Sequence, residues 1–190
     1  YRAIRIAASD VEHAAVNVLR FFESPSALVF CNTRNAVNHL QVALMERGFS
    51  VVALSGELTQ NERTQALQAL RDGRARVCVA TAVAARGIDL PKLDLVIHAD
   101  IPNDAEVLQH RSGRTGRAGR KGVSVLVVPF HRRGSAARLL KLAKLEATTQ
   151  AAAGSMAIGG ALAGAAVDAM LQGPDQRRGL FAAAGVLAKG

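Results

Sequence analysis

Ala27-Leu28-Val29-Phe30-Cys31-Asn32-Thr33-Arg34 is the stretch that decides the fold. Its first five residues are apolar without interruption, which marks a strand covered on both faces rather than one with a wet side. Three polar residues end the run. A helical stretch then extends to about Arg47, where Gly48 is suited to the left-handed position past a helix end. A short buried strand, a polar turn and a helix make the repeating unit of an α/β domain.

The same unit recurs outward in both directions. Upstream, Arg2 to Ile6 alternates polar and apolar residues and reads as a short strand or the end of a linker. Ser9 or Asp10 can cap a helix reaching about Phe22, with Val11, Ala14, Ala15, Val18, Leu19 and Phe22 on one face. Ser24-Pro25-Ser26 breaks it. Downstream, Phe49 to Leu54 is the next strand and Ser55-Gly56-Glu57 a turn. Thr59 and Glu62 have capping-box spacing for a helix to Arg71. Arg76 to Ala80, Leu93 to His98 and Gly122 to Val128 read as further strands. Asp104 caps a short helix between the last two, and Ser135 to Leu145 is a basic amphipathic helix. Alternation of this kind predicts a doubly wound, mainly parallel sheet with helices on both faces. Functional residues then gather beyond the strands' carboxyl ends.

Composition narrows the partners. The 190 residues carry 24 Lys and Arg against 15 Asp and Glu, a formal charge of +9. An excess of this sign points to an anion, nucleic acid first. The charge belongs to the folded part, since residues 1–146 hold 21 basic and 13 acidic side chains. Residues 147–190 are dominated by Ala and Gly and are expected to form a loosely helical or disordered extension. Gly160 and Gly164 form a small-xxx-small pair there, but Asp168 interrupts the apolar run, so no membrane helix is expected. Cys31 and Cys78 lie in apolar runs and read as buried thiols of a reducing, cytoplasmic compartment. His13, His39, His98 and His131 show no metal-ligand spacing.

One stretch concentrates positive charge: His110-Arg111-Ser112-Gly113-Arg114-Thr115-Gly116-Arg117. Guanidinium groups present planar forks of donors suited to phosphate oxygens. Three of them at a spacing of three repel one another unless an anion or acidic partner is normally present. Arginines on a turn at a domain edge, aimed at a phosphate bound elsewhere, form the arginine-finger arrangement of nucleotide hydrolases.

This stretch resembles motif VI of the DEAD-box ATP-dependent RNA helicases. Ala80-Thr81-Ala82-Val83-Ala84-Ala85-Arg86-Gly87-Ile88-Asp89 resembles their motif V, with Ala82 where many members carry Asp. Leu28 to Arg34 is similar to motif IV. Leu54-Ser55-Gly56-Glu57 with Gln60 and Arg63 resembles the family's next block.

The resemblance implies a RecA-like fold and a set of roles. Thr33, Arg34, Ser55, Gly56, Arg63 and Thr81 would meet RNA. Gly87 and Asp89 would meet ATP, Asp89 at the ribose. Arg86, His110 and Arg111 would couple two domains across a cleft, and Arg114 and Arg117 would be the catalytic fingers on ATP. A phosphate-cradling G-x-x-x-x-G-K-[ST] loop and a D-E-A-D are absent from the chain. In the family both lie in a preceding N-terminal RecA-like domain, which also holds Mg²⁺. The chain, which opens at Tyr1 without a Met, is therefore expected to be the second RecA-like domain of a longer helicase and inactive as an ATPase by itself. A DNA helicase with the same twin-domain core is the neighbouring reading, disfavoured by the His-Arg opening. A stand-alone RNA- or protein-binding module is a third.

Overall fold

A computed structural model of the chain describes residues 1–86, 93–115 and 122–151. Seven strands run β1 (Arg2–Ile6), β2 (Ala27–Cys31), β3 (Val51–Leu54), β4 (Val77–Thr81), β5 (Leu95–His98), β6 (Val123–Pro129) and β7 (Thr148–Ala151). Five helices connect them: α1 (Val11–Phe22), α2 (Arg34–Glu46), α3 (Gln60–Arg71), α4 (Ala105–Ser112) and α5 (Arg133–Leu142). The strands form one sheet in the order β3-β4-β2-β5-β6-β1-β7. Every strand pair in it is parallel.

The opening octapeptide sits where its composition demands. All five residues of β2 are buried, because β2 has strands on both edges and helices on both faces. Its side chains alternate. Ala27, Val29 and Cys31 join the cluster beneath α1 and α2, with Val18, Leu19, Leu40 and Leu44. Leu28 and Phe30 join the opposite cluster with Leu54, Leu70 and Val96. A third cluster packs Leu108 of α4 and Leu139 of α5 on Leu126 and Val128 of β6. Fully burying one such Leu or Phe is worth about 1.5–3 kcal/mol. The doubly wound architecture expected from the alternation is therefore the one observed.

Helix ends follow their local chemistry. Thr33 caps α2, its hydroxyl accepting from the Ala36 N–H at 3.2 Å. Thr59 and Glu62 make the full capping box of α3, the carboxylate accepting the Thr59 N–H at 2.8 Å. Asp104 caps α4 through the Val107 N–H at 2.7 Å. Gly48 and Gly73 take the left-handed backbone past α2 and α3, with φ of 84° and 70°. The N-terminus of α1 differs from expectation. Asp10 stands at the expected N-cap, but its side chain makes no capping bond; a 3-10 turn at Ala8–Asp10 leads in, and the Ser9 hydroxyl donates to Asp10. The last helix also shifts. A 3-10 turn over Phe130–Arg132 leads α5 in two residues early, and Lys144 beyond its end has φ of 53°.

β7 lies beyond residue 146, where the sequence suggested an extension, and pairs with β1 from Arg2↔Thr148 to Arg5↔Ala151. The rest of that segment falls outside the described residues. Among the described residues no helix is long and apolar enough to cross a membrane.

Candidate functional site

The parallel sheet places every strand's carboxyl end on one rim. Leu54, Thr81, Cys31 and His98 finish β3, β4, β2 and β5 there. The residues expected to meet RNA follow directly. Ser55 is buried just past β3, while a Cβ built on Gly56 would meet nothing within 4 Å. Thr33 and Arg34 open α2, and exposed Arg34 pairs with Glu57 from the β3 turn. Half-buried Arg63 stands in the first turn of α3. Thr81 ends β4, its oxygen accepting the Ala84 N–H at 3.3 Å. That bond uses a lone pair and leaves the hydroxyl proton for another acceptor.

A cleft of about 420 Å³ opens between the turn after β4 and helix α4. Ala82, Ala85 and Arg86 form one wall, and Gln109, His110, Arg111, Gly113 and Arg114 the other. Phe30 and Val107 complete the lining, to which the described residues contribute three arginines, one histidine and no carboxylate. Arg86 and His110 are exposed, and Arg114 is half-buried. The structure thus gathers Arg86, His110, Arg111 and Arg114 in one place. Gly87, Asp89 and Arg117 lie outside the described residues.

Arg111 departs from the picture of a residue reaching across to a second domain. It is only 5% exposed and is held within its own domain. Its Nη2 donates to Asn32 Oδ1 at 2.9 Å and its Nη1 to the Asp100 carbonyl at 3.4 Å. The guanidinium lies over the Phe30 ring, 5.1 Å from the centroid. Burial lowers its pKa, while the negative groups nearby, Asp100 foremost, work the other way. Its Nε is buried and, among the described residues, without a hydrogen-bond partner.

Asn32 is the residue that sequence reasoning passed over. Its N–H donates to the Asp100 carboxylate at 2.8 Å and its Nδ2 to the Ile101 carbonyl at 3.0 Å. With Oδ1 accepting from Arg111, all its side-chain polar atoms are engaged. It ties the ends of β2 and β5 to α4. Its place directly after a buried central strand was the available signal. Cys31 beside it is inert: burial, with Asp100 adding to it, pushes its thiol up to about 12.

Comparison with known proteins agrees with this geometry. The helicase conserved C-terminal domain family matches residues 12–119, more than half of the chain. The DEAD-box ATP-dependent RNA helicase 53 of rice (Oryza sativa subsp. japonica) is 48% identical over 100 residues, 53% of this chain and 16% of that protein. The chain thus spans about a sixth of that curated relative's length. The crystal structure of the Escherichia coli DEAD-box protein SrmB bound to regulator of ribonuclease activity A is 35% identical, with a TM-score of 0.69 over 78% of this chain and 87% of that one. The structure of Saccharomyces cerevisiae Dbp5 bound to RNA and ADP BeF3 is 29% identical, with a TM-score of 0.72 over 79% of this chain and 41% of that one. The sheet, the cleft of arginines on its rim and these likenesses agree: the chain belongs to the helicase conserved C-terminal domain family, in its DEAD-box, RecA-like form.

Proposed function

We propose that this chain is the arginine-bearing half of a cytoplasmic, ATP-dependent DEAD-box RNA helicase that opens short RNA duplexes. The observation that carries the reading is the lining of the cleft: Arg86, His110, Arg111 and Arg114 converge on it, and among the described residues no carboxylate does. A concave site lined by this many cations favours a polyphosphate. The sequence relative from rice is named an ATP-dependent RNA helicase, and the Dbp5 structure holds RNA and a nucleotide.

Arg114 and Arg117 would neutralise charge growing on the transferred phosphoryl group. Gly87 and Asp89 would meet the nucleotide, Asp89 at its ribose. Arg86, His110 and Arg111 would transmit closure, Arg111 from inside the cleft wall rather than from its surface. The phosphate loop and the Mg²⁺ site belong to an N-terminal RecA-like domain, so this domain alone would not turn over ATP. Thr33, Arg34, Ser55, Gly56, Arg63 and Thr81 would form half of an RNA groove along the rim. An RNA phosphate there takes the place of Glu57 at Arg34. Contacts of this kind go to phosphates, so binding weakens steeply with salt and reads little sequence.

The test is Arg117→Ala in the full-length helicase. RNA-stimulated ATP turnover is expected to fall roughly a thousand-fold, with nucleotide affinity changed only a few-fold. Turnover equal to wild type overturns the finger assignment.

A further inference from the structure

We propose that His98 is a positioning residue for the arginine stretch, acting as a neutral imidazole through Ser112. The proposal rests on the reading of the cleft given above.

His98 is the last residue of β5 and has no solvent exposure. Its Nε2 lies 3.2 Å from the Ser112 hydroxyl and 3.1 Å from that of Ser124 on β6. The two hydroxyls are 3.0 Å apart, closing a triangle of three buried polar atoms. Nδ1 is buried without a partner among the described residues. That fixes the tautomer. A proton on Nδ1 leaves a buried donor unmet, whereas a proton on Nε2 places the donor among the serine oxygens and leaves only a lone pair unmet. A charged ring is excluded by the same burial and by the Arg111 cation, which hold the imidazole pKa down to about 3.

What the triangle holds is the exit of α4. Ser112 is the last residue of that helix, directly between Arg111 and the Gly113-Arg114 turn that lines the cleft. Phe30 and His98 are register partners on adjacent strands, side by side on one sheet face, with rings 6.1 Å apart. Two consecutive residues of α4 rest on this pair. The Arg111 guanidinium lies over Phe30, and the Ser112 hydroxyl is bonded to His98. Arg111 also has partners on β2 and the β5 loop. Among the described residues the Ser112 side chain has only the triangle, so the direction in which Gly113 and Arg114 leave the helix depends on it. A ring of similar size without polar atoms keeps the packing and releases the exit.

The experiment compares His98→Phe, Ser112→Ala and His98→Gln in the full-length helicase. Glutamine carries an amide N–H close to where the imidazole has Nε2. Amide hydrogen exchange is read at Gly113, Arg114 and Thr115, whose N–H groups bond back to Gln109, Arg111 and Ser112. Expected is exchange at least ten-fold faster at these three amides in His98→Phe and Ser112→Ala, with Val29 and Val79 unchanged. RNA-stimulated turnover should fall ten-fold or more with little change in KM for ATP, and His98→Gln should restore both. If exchange at 113–115 stays at the wild-type rate in Ser112→Ala, the idea is wrong, whatever happens to turnover. Faster exchange throughout the sheet in His98→Phe, with Ser112→Ala silent, reduces His98 to a core residue and also overturns it. Because exchange is read without catalysis, it stands or falls separately from Arg117→Ala, which tests the cleft itself.

Discussion

Two stretches of one rim handle charge in opposite ways. Around β5 and α4, polar groups are matched to one another within the domain, with Arg111, His98 and both serines buried: Arg111 to Asn32, Asn32 to Asp100, His98 to two serines. Around α2 and α3 they stand in water. The Arg34 and Glu57 side chains are 56% and 69% exposed and have each other. The lesson concerns what a ligand can use. A group enclosed among internal partners fixes geometry, and a group at an open ion pair can exchange its partner for a phosphate at little cost. The family resemblance puts both kinds in its motifs, and only the packing tells them apart.

The contrast predicts four effects on this chain, and each can break it. The largest is Arg111→Ala. It strips Asn32 Oδ1 and the Asp100 carbonyl of a buried donor and opens space over Phe30, at about 3 kcal/mol of unfolding free energy. A denaturation midpoint within error of wild type means that the guanidinium is not the clamp described. Next is pH. Unfolded, His98 takes up a proton near its ordinary 6.5, while the buried ring holds off to about 3. As pH falls through this interval the unfolded state binds a proton that the native state lacks. The stability present above pH 6.5 is therefore lost downward at about 1.4 kcal/mol per unit, or about 2 kcal/mol by pH 5. His98→Gln should flatten that part of the profile in urea titrations at pH 7, 6 and 5, and equal slopes for the two proteins contradict it. Third, Thr59→Ala removes the capping box on the open side and should cost about 1 kcal/mol. Calorimetry that shows no change would place the start of α3 under tertiary control. The smallest is Arg34→Ala, with at most about 0.5 kcal/mol of stability for an exposed pair. Its effect belongs to RNA affinity, read by fluorescence anisotropy, and a stability loss as large as that of Arg111→Ala would erase the distinction.

The fold was legible because its signals are local. Five apolar residues at Ala27–Cys31 require a strand covered twice, and Thr59 with Glu62 requires a helix start, whatever the rest of the chain does. The internal wiring of the site was not legible. Asn32 meets Asp100 and Arg111 across 68 and 79 residues, and no periodicity reports which polar side chain will find which partner at such range. The sequence showed His98 as a polar residue ending an apolar run. It could not show that Ser112 and Ser124 converge on the ring. Asp10 holds the N-cap position without a side-chain bond for a related reason: a preceding 3-10 turn gave α1 another way to start. β7 escaped notice because Thr148–Ala151 is neither continuously apolar nor alternating.

The position of β1 has a consequence for how the protein is made. This strand leaves the ribosome before any other described here, yet it pairs with β6 and β7, residues 123–129 and 148–151. More than a hundred residues must be translated before its edge has a neighbour. Meanwhile β2, β3, β4 and β5, contiguous in both sequence and sheet, can assemble first. During synthesis β1 is thus an unpaired strand waiting beside a half-built sheet, and this is the interval in which a holding chaperone has most to protect.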